Sequence, residues 1–204
     1  PEQDATSVAR LRSAGALMVG KTNMHEIGLG VTGLNVHYGT TRNPHHLDHY
    51  PGGSSSGSAA AVAAGLSPIA LGLDGGGSIR IPASLCGVVG LKTTWGRISS
   101  AGAAPLSWSV STVGPITATA DDAALAYSFL AGADPRQLRT QNQPPVDLQD
   151  FNNTNLAGVK LGVFSPWFKH ASADIVQNCE RMLEAFKSQG ASIEEIEIPQ
   201  LNEV

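Results

Sequence analysis

The chain has little cysteine, no run of positive charge and no long apolar stretch. Its two cysteines, Cys86 and Cys179, cannot build a disulfide framework and show no metal-ligand spacing. This scarcity favours an intracellular, reducing compartment, either cytoplasmic or associated with endomembranes. Lys and Arg never form a run and the net charge is -4, which argues against a basic surface that binds nucleic acid directly.

The chain also lacks the features of a complete membrane-bound or targeted protein. Its longest apolar run, Ala59 to Leu66, contains a glycine and is far shorter than the ~20 residues of a membrane-spanning helix. It begins with Pro1 rather than Met and ends at Val204 without a polar tail. We therefore expect residues 1–204 to form part of one domain of a longer protein, and leave open a targeting or anchor segment outside them.

Glycine and proline divide the chain into short elements that are typical of an α/β protein. Helices are predicted over residues 4–14, 58–66, from about 81, 123–130 and 172–189. Strands are predicted over residues 16–19, 69–73, 88–94, 160–164 and 193–198, and residues 96–117 are predicted to be irregular. This pattern gives a core over 15–132, a loop rich in Pro, Gln and Asn over 134–155, and a βαβ unit over 159–198.

One stretch, Pro51 to Gly90, holds two serine sites, Ser54-Ser55-Ser56 and Ser78. Glycines flank both sites, so backbone N–H groups can approach a ligand without interference from a Cβ atom. Ser78 follows a predicted strand and a glycine turn and precedes a predicted helix, a position that favours a negative charge. The stretch is therefore a candidate site for a reaction that develops an anion.

Three familiar sequence patterns occur in the chain, but the residues around each of them do not fit the structure that the pattern requires. Gly28 to Gly33 matches the dinucleotide-binding spacing but lacks a preceding strand and a following helix. Gly53 to Gly57 matches the nucleophile elbow of α/β-hydrolases, yet no strand precedes it, and no lysine has a serine three residues before it. His45 to His49 is expected to be an exposed loop rather than a metal site.

Three separated motifs occur in an order that chance rarely produces. They are Gly20-Lys21-Thr22-Asn23, Gly52-Gly53-Ser54-Ser55-Ser56-Gly57-Ser58 and Asp74-Gly75-Gly76-Gly77-Ser78-Ile79-Arg80-Ile81-Pro82. With them the chain resembles the amidase signature family of hydrolases, from about residue 4 to residue 132. Three spellings look most like the plant-type fatty acid amide hydrolase branch: Thr40-Thr41-Arg42-Asn43-Pro44, Gly53-Ser54-Ser55-Ser56-Gly57-Ser58 and Leu91-Lys92-Thr93-Thr94-Trp95-Gly96-Arg97.

The resemblance implies a fold and a set of catalytic residues. The fold is α/β, with a mixed β-sheet core flanked by helices. Ser78 matches the nucleophile, and Ser54 matches a bridging serine that follows a cis peptide bond. The matching oxyanion hole consists of the N–H groups of Gly75, Gly76, Gly77 and Ser78.

The third member of the family's triad is a lysine, and its segment does not occur in this sequence. The resemblance therefore places the base upstream of residue 1, and the chain alone is expected to be inactive. Lys21 matches a separate motif lysine.

The residues expected to support the site are Lys21, Thr22, Asn23, Ser55, Asp74 and Arg80. A surface ion pair remains an alternative for Asp74 and Arg80, and turn capping for Thr22 and Asn23. Ser56 and Leu73 depart from the family's usual glycine and its usual threonine or serine.

By this resemblance the protein is expected to hydrolyse a carboxylic amide through a seryl acyl-enzyme, with no metal and no organic cofactor. The expected partner is a small-molecule amide, with a fatty acid amide or N-acylethanolamine derived from membrane lipid as the first candidate. A homodimer stays open. The alternatives are the glutaminase subunit of a tRNA-dependent amidotransferase and a catalytically silent binding module.

Overall fold

The computed structural model describes residues 2–104, 106–199 and 201. The chain divides into two compact units, Pro1–Val146 and Asp147–Val204. Pro1 and Val204, the chain ends noted above, lie outside the described residues. Helices combine with β-sheets, one antiparallel and one parallel, so the predicted α/β class is confirmed.

The first unit carries both serine sites. Its helices are α1 (Thr6–Ser13), α2 (Ser56–Ala63), α3 (Arg80–Leu85) and α4 (Ala120–Leu130), with short 3₁₀ turns at Glu26–Gly28 and Leu138–Thr140. Its strands are β1 (Ile69–Asp74), β2 (Val89–Gly90) and β3 (Thr112–Thr117). The sheet order is β1–β3–β2 and both pairings are antiparallel, with Asp74 opposite Thr112 at the end of β1 that leads to Ser78.

Helices cover both faces of this sheet. Val113 and Ile116 stand three positions apart on β3, and since successive side chains of a strand alternate, they point to opposite faces. One face buries Leu11, Ile98, Val113, Ala126 and Leu130. The other face buries Ala59, Val62, Ile79, Cys86 and Ile116. The segments that carry the two serine sites, before α2 and before α3, therefore lie on the same face.

The sequence-based prediction was wrong at β3. Residues 112–117 were expected to be irregular because Gly114 and Pro115 disfavour a strand interior. All six residues of β3 are nevertheless buried between β1 and β2. Pro115 lacks an N–H, but its carbonyl still accepts a hydrogen bond from the N–H of Leu91 at 3.0 Å. Burial on both faces outweighs local propensity here.

The prediction was also wrong at residues 16–19, which do not form a strand. Within the described residues no strand pairs with this segment, and Leu17 and Val19 are 87% and 84% exposed. A strand needs a partner for its backbone N–H and C=O groups, and apolar composition does not supply one. The strand predicted over 88–94 is likewise shorter, because only Val89–Gly90 pairs with β3.

Helix boundaries followed local signals more closely. The Thr119 hydroxyl accepts a hydrogen bond from the N–H of Asp122 at 3.1 Å, so Thr119 caps the start of α4. After α1, the chain turns at Gly15 with φ 92°, and the N–H of Ala16 bonds back to the carbonyl of Leu11. Gly15 therefore ends α1, one residue beyond the predicted range 4–14.

The second unit contains the predicted βαβ arrangement. Strand β4 (Lys160–Val163) leads through α5 (Ser165–Phe168) and α6 (Ala173–Ser188) to β5 (Ser192–Glu195). The two strands are parallel, with Lys160 opposite Ser192 and Val163 opposite Glu195. The short helix α5 was not predicted. Across the described part of both units, no helix is long and apolar enough to cross a membrane.

Candidate active site

The two serine sites meet through their backbones. The N–H of Ser55 donates to the carbonyl of Ser78 at 3.1 Å, so the segment before α2 is joined to the segment before α3. The peptide bond between Gly53 and Ser54 is cis. Ser54 is 3% exposed, whereas Ser78 is only partly buried. The Ser78 hydroxyl has no hydrogen-bond partner among the described residues, so it is available to a ligand.

The Ser54 loop is held by its neighbours on both sides. The carbonyl of Ser54 accepts from the N–H of His25 at 3.0 Å and from the hydroxyl of Ser56 at 3.2 Å. The hydroxyl of Ser55 accepts from the N–H of Leu73 at 3.3 Å, which ties the loop to β1. Ser55 is 7% exposed and thus has a supporting position beneath the site.

Asp74 organises the glycine turn that follows β1. It is fully buried, and its carboxylate accepts from the N–H of Gly77 at 2.8 Å and of Ile79 at 3.1 Å. Arg80 adds two side-chain hydrogen bonds at 3.0 Å, from Nε and Nη2. Burial alone would raise the pKa of Asp74, but these donors outweigh it and lower the pKa to about 2. Asp74 and Arg80 are therefore not a surface ion pair, since the carboxylate lies inside.

The backbone amides of the turn differ in their availability. The N–H of Gly77 is donated to Asp74, so this residue departs from the expectation that it faces an oxyanion. Among the described residues, the N–H groups of Gly75, Gly76 and Ser78 have no acceptor. Gly77 has φ +132°, a conformation that residues with a side chain disfavour, and this lets the chain fold back toward Asp74.

The three residues of the motif at 21–23 differ in whether they contact the serine segment before α2. Lys21 is exposed and makes no hydrogen bond or ion pair to either serine in the described structure. The hydroxyl of Thr22 lies 2.8 Å from that of Ser58, and the carbonyl of Asn23 accepts from the N–H of Gly57 at 2.9 Å. A Cβ atom on Gly57 would stand 2.5 Å from that carbonyl. Thr22 and Asn23 thus support the start of α2, while Lys21 does not.

Sequence reasoning assigned no role at the site to Lys92, which reaches the same turn from beyond β2. Its Nζ donates to the carbonyl of Asp74 and to the carbonyl of Val110, the latter at 2.6 Å. The ammonium lies 3.7 Å from the Asp74 carboxylate. Burial lowers the pKa of Lys92 and the nearby carboxylate opposes this shift. The available signal was the segment Leu91 to Arg97, which contains this lysine and carries part of the family resemblance.

A shallow groove, open to solvent, adjoins the turn. Its lining includes Leu73, Leu106, Trp108, Ser111 and Arg139. The hydroxyl of Ser111 is buried, has no partner among the described residues, and lies 3.0 Å from where a Cβ would stand on Gly75. Leu106 and the Ser54 hydroxyl both lie within 4 Å of the corresponding point on Gly28. The groove therefore lies beside the glycine turn through Ser111 and approaches the Ser54 loop through Leu106.

The histidine-rich loop has local contacts only. His45 Nε2 lies 2.9 Å from the carbonyl of Cys86, and the rings of His46 and His49 stand edge to face at 4.2 Å. Within the described residues, no three His, Cys, Asp or Glu side chains are grouped to hold a metal ion. Gly28 to Gly33 lies in irregular backbone, not in a strand-to-helix turn.

Comparisons with known proteins agree on one family. The family model described as Amidase matches residues 1–204. A fatty acid amide hydrolase of Oryza sativa subsp. indica is 49% identical over 209 residues, covering 100% of this chain and 34% of the relative. The chain therefore belongs to the amidase family, and it spans about a third of the length of this plant relative.

Solved structures show the same likeness. One subunit of the glutamyl-tRNA(Gln) amidotransferase of Thermotoga maritima superimposes with a TM-score of 0.91 at 37% identity, covering 98% of this chain and 44% of that one. The peptide amidase of Stenotrophomonas maltophilia gives 0.89 at 36% identity, with 98% and 43% covered. Both structures support the amidase signature fold identified from the three motifs.

Proposed function

We propose that the full-length protein hydrolyses carboxylic amides through a seryl acyl-enzyme formed on Ser78. One arrangement carries this proposal: a hydroxyl without a partner adjoins a turn whose N–H groups at Gly75, Gly76 and Ser78 have no acceptor among the described residues. Unpaired donors beside a nucleophile can stabilise the negative charge of a tetrahedral intermediate. Asp74 fixes the turn before any substrate arrives, because its carboxylate already holds Gly77 and Ile79.

The proposed reaction begins when Ser78 Oγ attacks the amide carbonyl carbon. The hydroxyl proton passes through Ser54 to a neutral lysine, the carbonyl oxygen becomes an oxyanion, and the free N–H groups bind it. The C–N bond then breaks, and the proton returns to the departing nitrogen as ammonia or an amine leaves. Water attacks the remaining ester by the same route, which releases the acid and restores Ser78.

The base of this scheme is proposed to lie outside the 204 residues. An unperturbed lysine has a pKa of about 10.4, so a lysine base must be buried to be neutral near pH 7. Lys21 is exposed and makes no contact with the serines in the described residues. We expect the purified 204-residue chain to show no turnover. Steady amide hydrolysis by it would place the base within these residues and make Lys21 a candidate again.

For the substrate we propose a fatty acid amide or an N-acylethanolamine. The relative from Oryza sativa subsp. indica that is named fatty acid amide hydrolase is 49% identical over the whole of this chain. Leu73, Leu106 and Trp108 give the groove beside Gly75 an apolar wall that an acyl chain could contact. Ser111 offers a hydroxyl, unpaired among the described residues, to polar atoms next to the scissile amide.

One observation favours a second candidate, the glutaminase subunit of an amidotransferase. Arg139 lines the same groove, stacked 4.2 Å over the ring of Trp95, and its guanidinium could pair with the α-carboxylate of glutamine. The structural neighbour from Thermotoga maritima belongs, by its name, to such an amidotransferase. Activity on glutamine that rises with glutamyl-tRNA and a partner protein would favour this function.

An amide panel assayed with the full-length protein separates the candidates. We expect release of amine or ammonia from oleamide and N-acylethanolamines to exceed release from glutamine and short aliphatic amides. The Ser78→Ala variant serves as the control and should lose all of this activity. If a folded protein turns over no amide of the panel, the hydrolase proposal fails and a binding role is favoured.

A further inference from the structure

Lys92 joins two segments of the candidate site that are distant in sequence. Its side chain is only 22% exposed and extends from just beyond β2 to the carbonyl at the end of β1. The second carbonyl that it contacts, that of Val110, belongs to the segment between Trp108 and Ser111 in the groove wall. One largely buried ammonium thus links the glycine turn to the groove.

The contact with the Asp74 carbonyl has a consequence for Gly75. The C=O of Asp74 and the N–H of Gly75 belong to one planar, trans peptide group, so the two bonds point in opposite directions. A cation that holds the oxygen therefore fixes where the N–H points and makes it a stronger donor. Without such a contact, the run Gly75 to Gly77 would leave this peptide plane free to rotate.

We propose that Lys92 is a positioning residue, which aims the Gly75 N–H at the oxyanion by holding the Asp74 carbonyl. This inference rests on the proposed amide hydrolysis. The carboxylate of Asp74 fixes the far end of the turn through Gly77, and Lys92 fixes the near end. Between these two anchors, the N–H groups of Gly75 and Gly76 keep no acceptor within the described residues.

Lys92 is not placed to act as the proton acceptor of the reaction. An ammonium group has three N–H donors, and here three oxygen atoms surround it: two carbonyl oxygens and one carboxylate oxygen. The Asp74 carboxylate opposes the lowering of the Lys92 pKa by burial, and the three oxygen atoms occupy the N–H donors of the charged form. In the described residues Lys92 makes no hydrogen bond to Ser54 or Ser78, which a proton acceptor would need. Its role is therefore exerted through the peptide group of Gly75 and not through proton transfer.

The test replaces Lys92 by Met in the full-length protein, which keeps the length of the side chain and removes the charge. We expect kcat to fall roughly 10- to 100-fold with little change in KM, because the lost contact acts on the transition state. Affinity for a trifluoromethyl ketone, whose adduct with Ser78 carries an oxyanion, should fall by the same factor. Lys160→Met is the matched control, since Lys160 is 73% exposed and lies in the other unit.

If Lys92 had only a structural role, its replacement would lower the melting temperature, but kcat and the affinity for the ketone would not fall by the same factor. Lys92→Gln also removes the charge and provides a second variant should Lys92→Met not fold. Its kcat/KM and its affinity for the ketone should again fall by one common factor. Wild-type kcat and ketone affinity in a folded Lys92→Met or Lys92→Gln protein would overturn the inference, as would a change confined to KM.

The wild-type protein and Ser78→Ala are assayed alongside these variants. If the wild type hydrolyses no amide, or if Ser78→Ala is as active as the wild type, the proposed function itself fails. If both behave as expected and the Lys92 variants match the wild type, only the positioning role of Lys92 is wrong.

Discussion

The carboxylates of Asp74 and Asp134 are both buried in the first unit, and they differ in whether the backbone N–H groups beside them have acceptors. Asp74 is 0% exposed and Asp134 is 3% exposed, and both accept several hydrogen bonds. Asp134 binds the hydroxyls of Thr6 and Ser99 and the N–H of Arg136, which ties α1 to the segment after α4. Burial opposes the shift, but these donors lower the pKa of Asp134.

The difference lies in the neighbouring backbone. The N–H of Asp134 itself donates to the hydroxyl of Thr140, so donors around this carboxylate are paired. Beside Asp74, the amides of Gly75, Gly76 and Ser78 have no acceptor in the described structure. A buried carboxylate therefore does not identify a reactive site by itself. Unpaired donors held in place next to a nucleophile do so more specifically.

The largest expected difference between the two regions concerns their serines. Ser78→Ala in the full-length protein should lower amide turnover by at least about 10³-fold with an unchanged melting temperature, because the Ser78 hydroxyl supports no other group among the described residues. Ser99→Ala is the matched change at Asp134, where Ser99 Oγ donates at 2.5 Å. It should cost about 1 to 2 kcal/mol of unfolding free energy and leave turnover intact. Steady-state assays and thermal melts of both variants distinguish the regions, and the opposite pattern would reverse their assignment.

The carboxylates themselves give the second contrast. Asp74→Asn removes the buried charge that accepts from Gly77, Ile79 and Arg80. It should cost about 2 to 3 kcal/mol of unfolding free energy, together with most of the turnover. Asp134→Asn should cost about 1 to 3 kcal/mol and preserve kcat in the folded fraction. Denaturant melts combined with active-site titration measure both quantities. Equal losses of kcat in the two variants would show that the regions do not differ as described.

Acid provides a smaller and graded test of the Asp74 network. Because folding lowers the pKa of Asp74 from 3.8 to about 2, its charged form stabilises the folded state above pH ~4. This contribution, about 2 kcal/mol, should disappear as the pH falls from about 4 to about 2. The stability difference between wild type and Asp74→Asn should shrink over that range. A difference that stays constant down to about pH 2 would argue against a lowered pKa at Asp74.

The parts of the site that the sequence could predict are local. Asp74, the glycine turn, Ser78 and Arg80 fall within seven consecutive residues, and their order alone suggested a strand, a turn and a helix. The second serine segment precedes α2 directly. Both segments are stabilised mainly by interactions between residues that are close in sequence. The preferences of residues for helix caps and turns predict such interactions.

The parts that could not be predicted depend on strand pairing. Lys92 reaches Asp74 and Val110 only because β1 and β2 flank β3. The sequence did not predict β3, because Gly114 and Pro115 disfavour a strand. The pairing of the Gly77 amide with Asp74 likewise depends on how a buried carboxylate is oriented, which composition does not encode. The exposed position of Lys21 follows from the absence of a paired strand at residues 16–19 within the described structure.

The central claim is that Ser78 is the nucleophile of this site. Its most direct test is to label the full-length protein with an active-site-directed fluorophosphonate and to map the adduct by peptide mass spectrometry. We expect a single adduct on Ser78 and no labelling of the Ser78→Ala variant. An adduct on Ser54 or Ser55, or undiminished labelling of that variant, would contradict it.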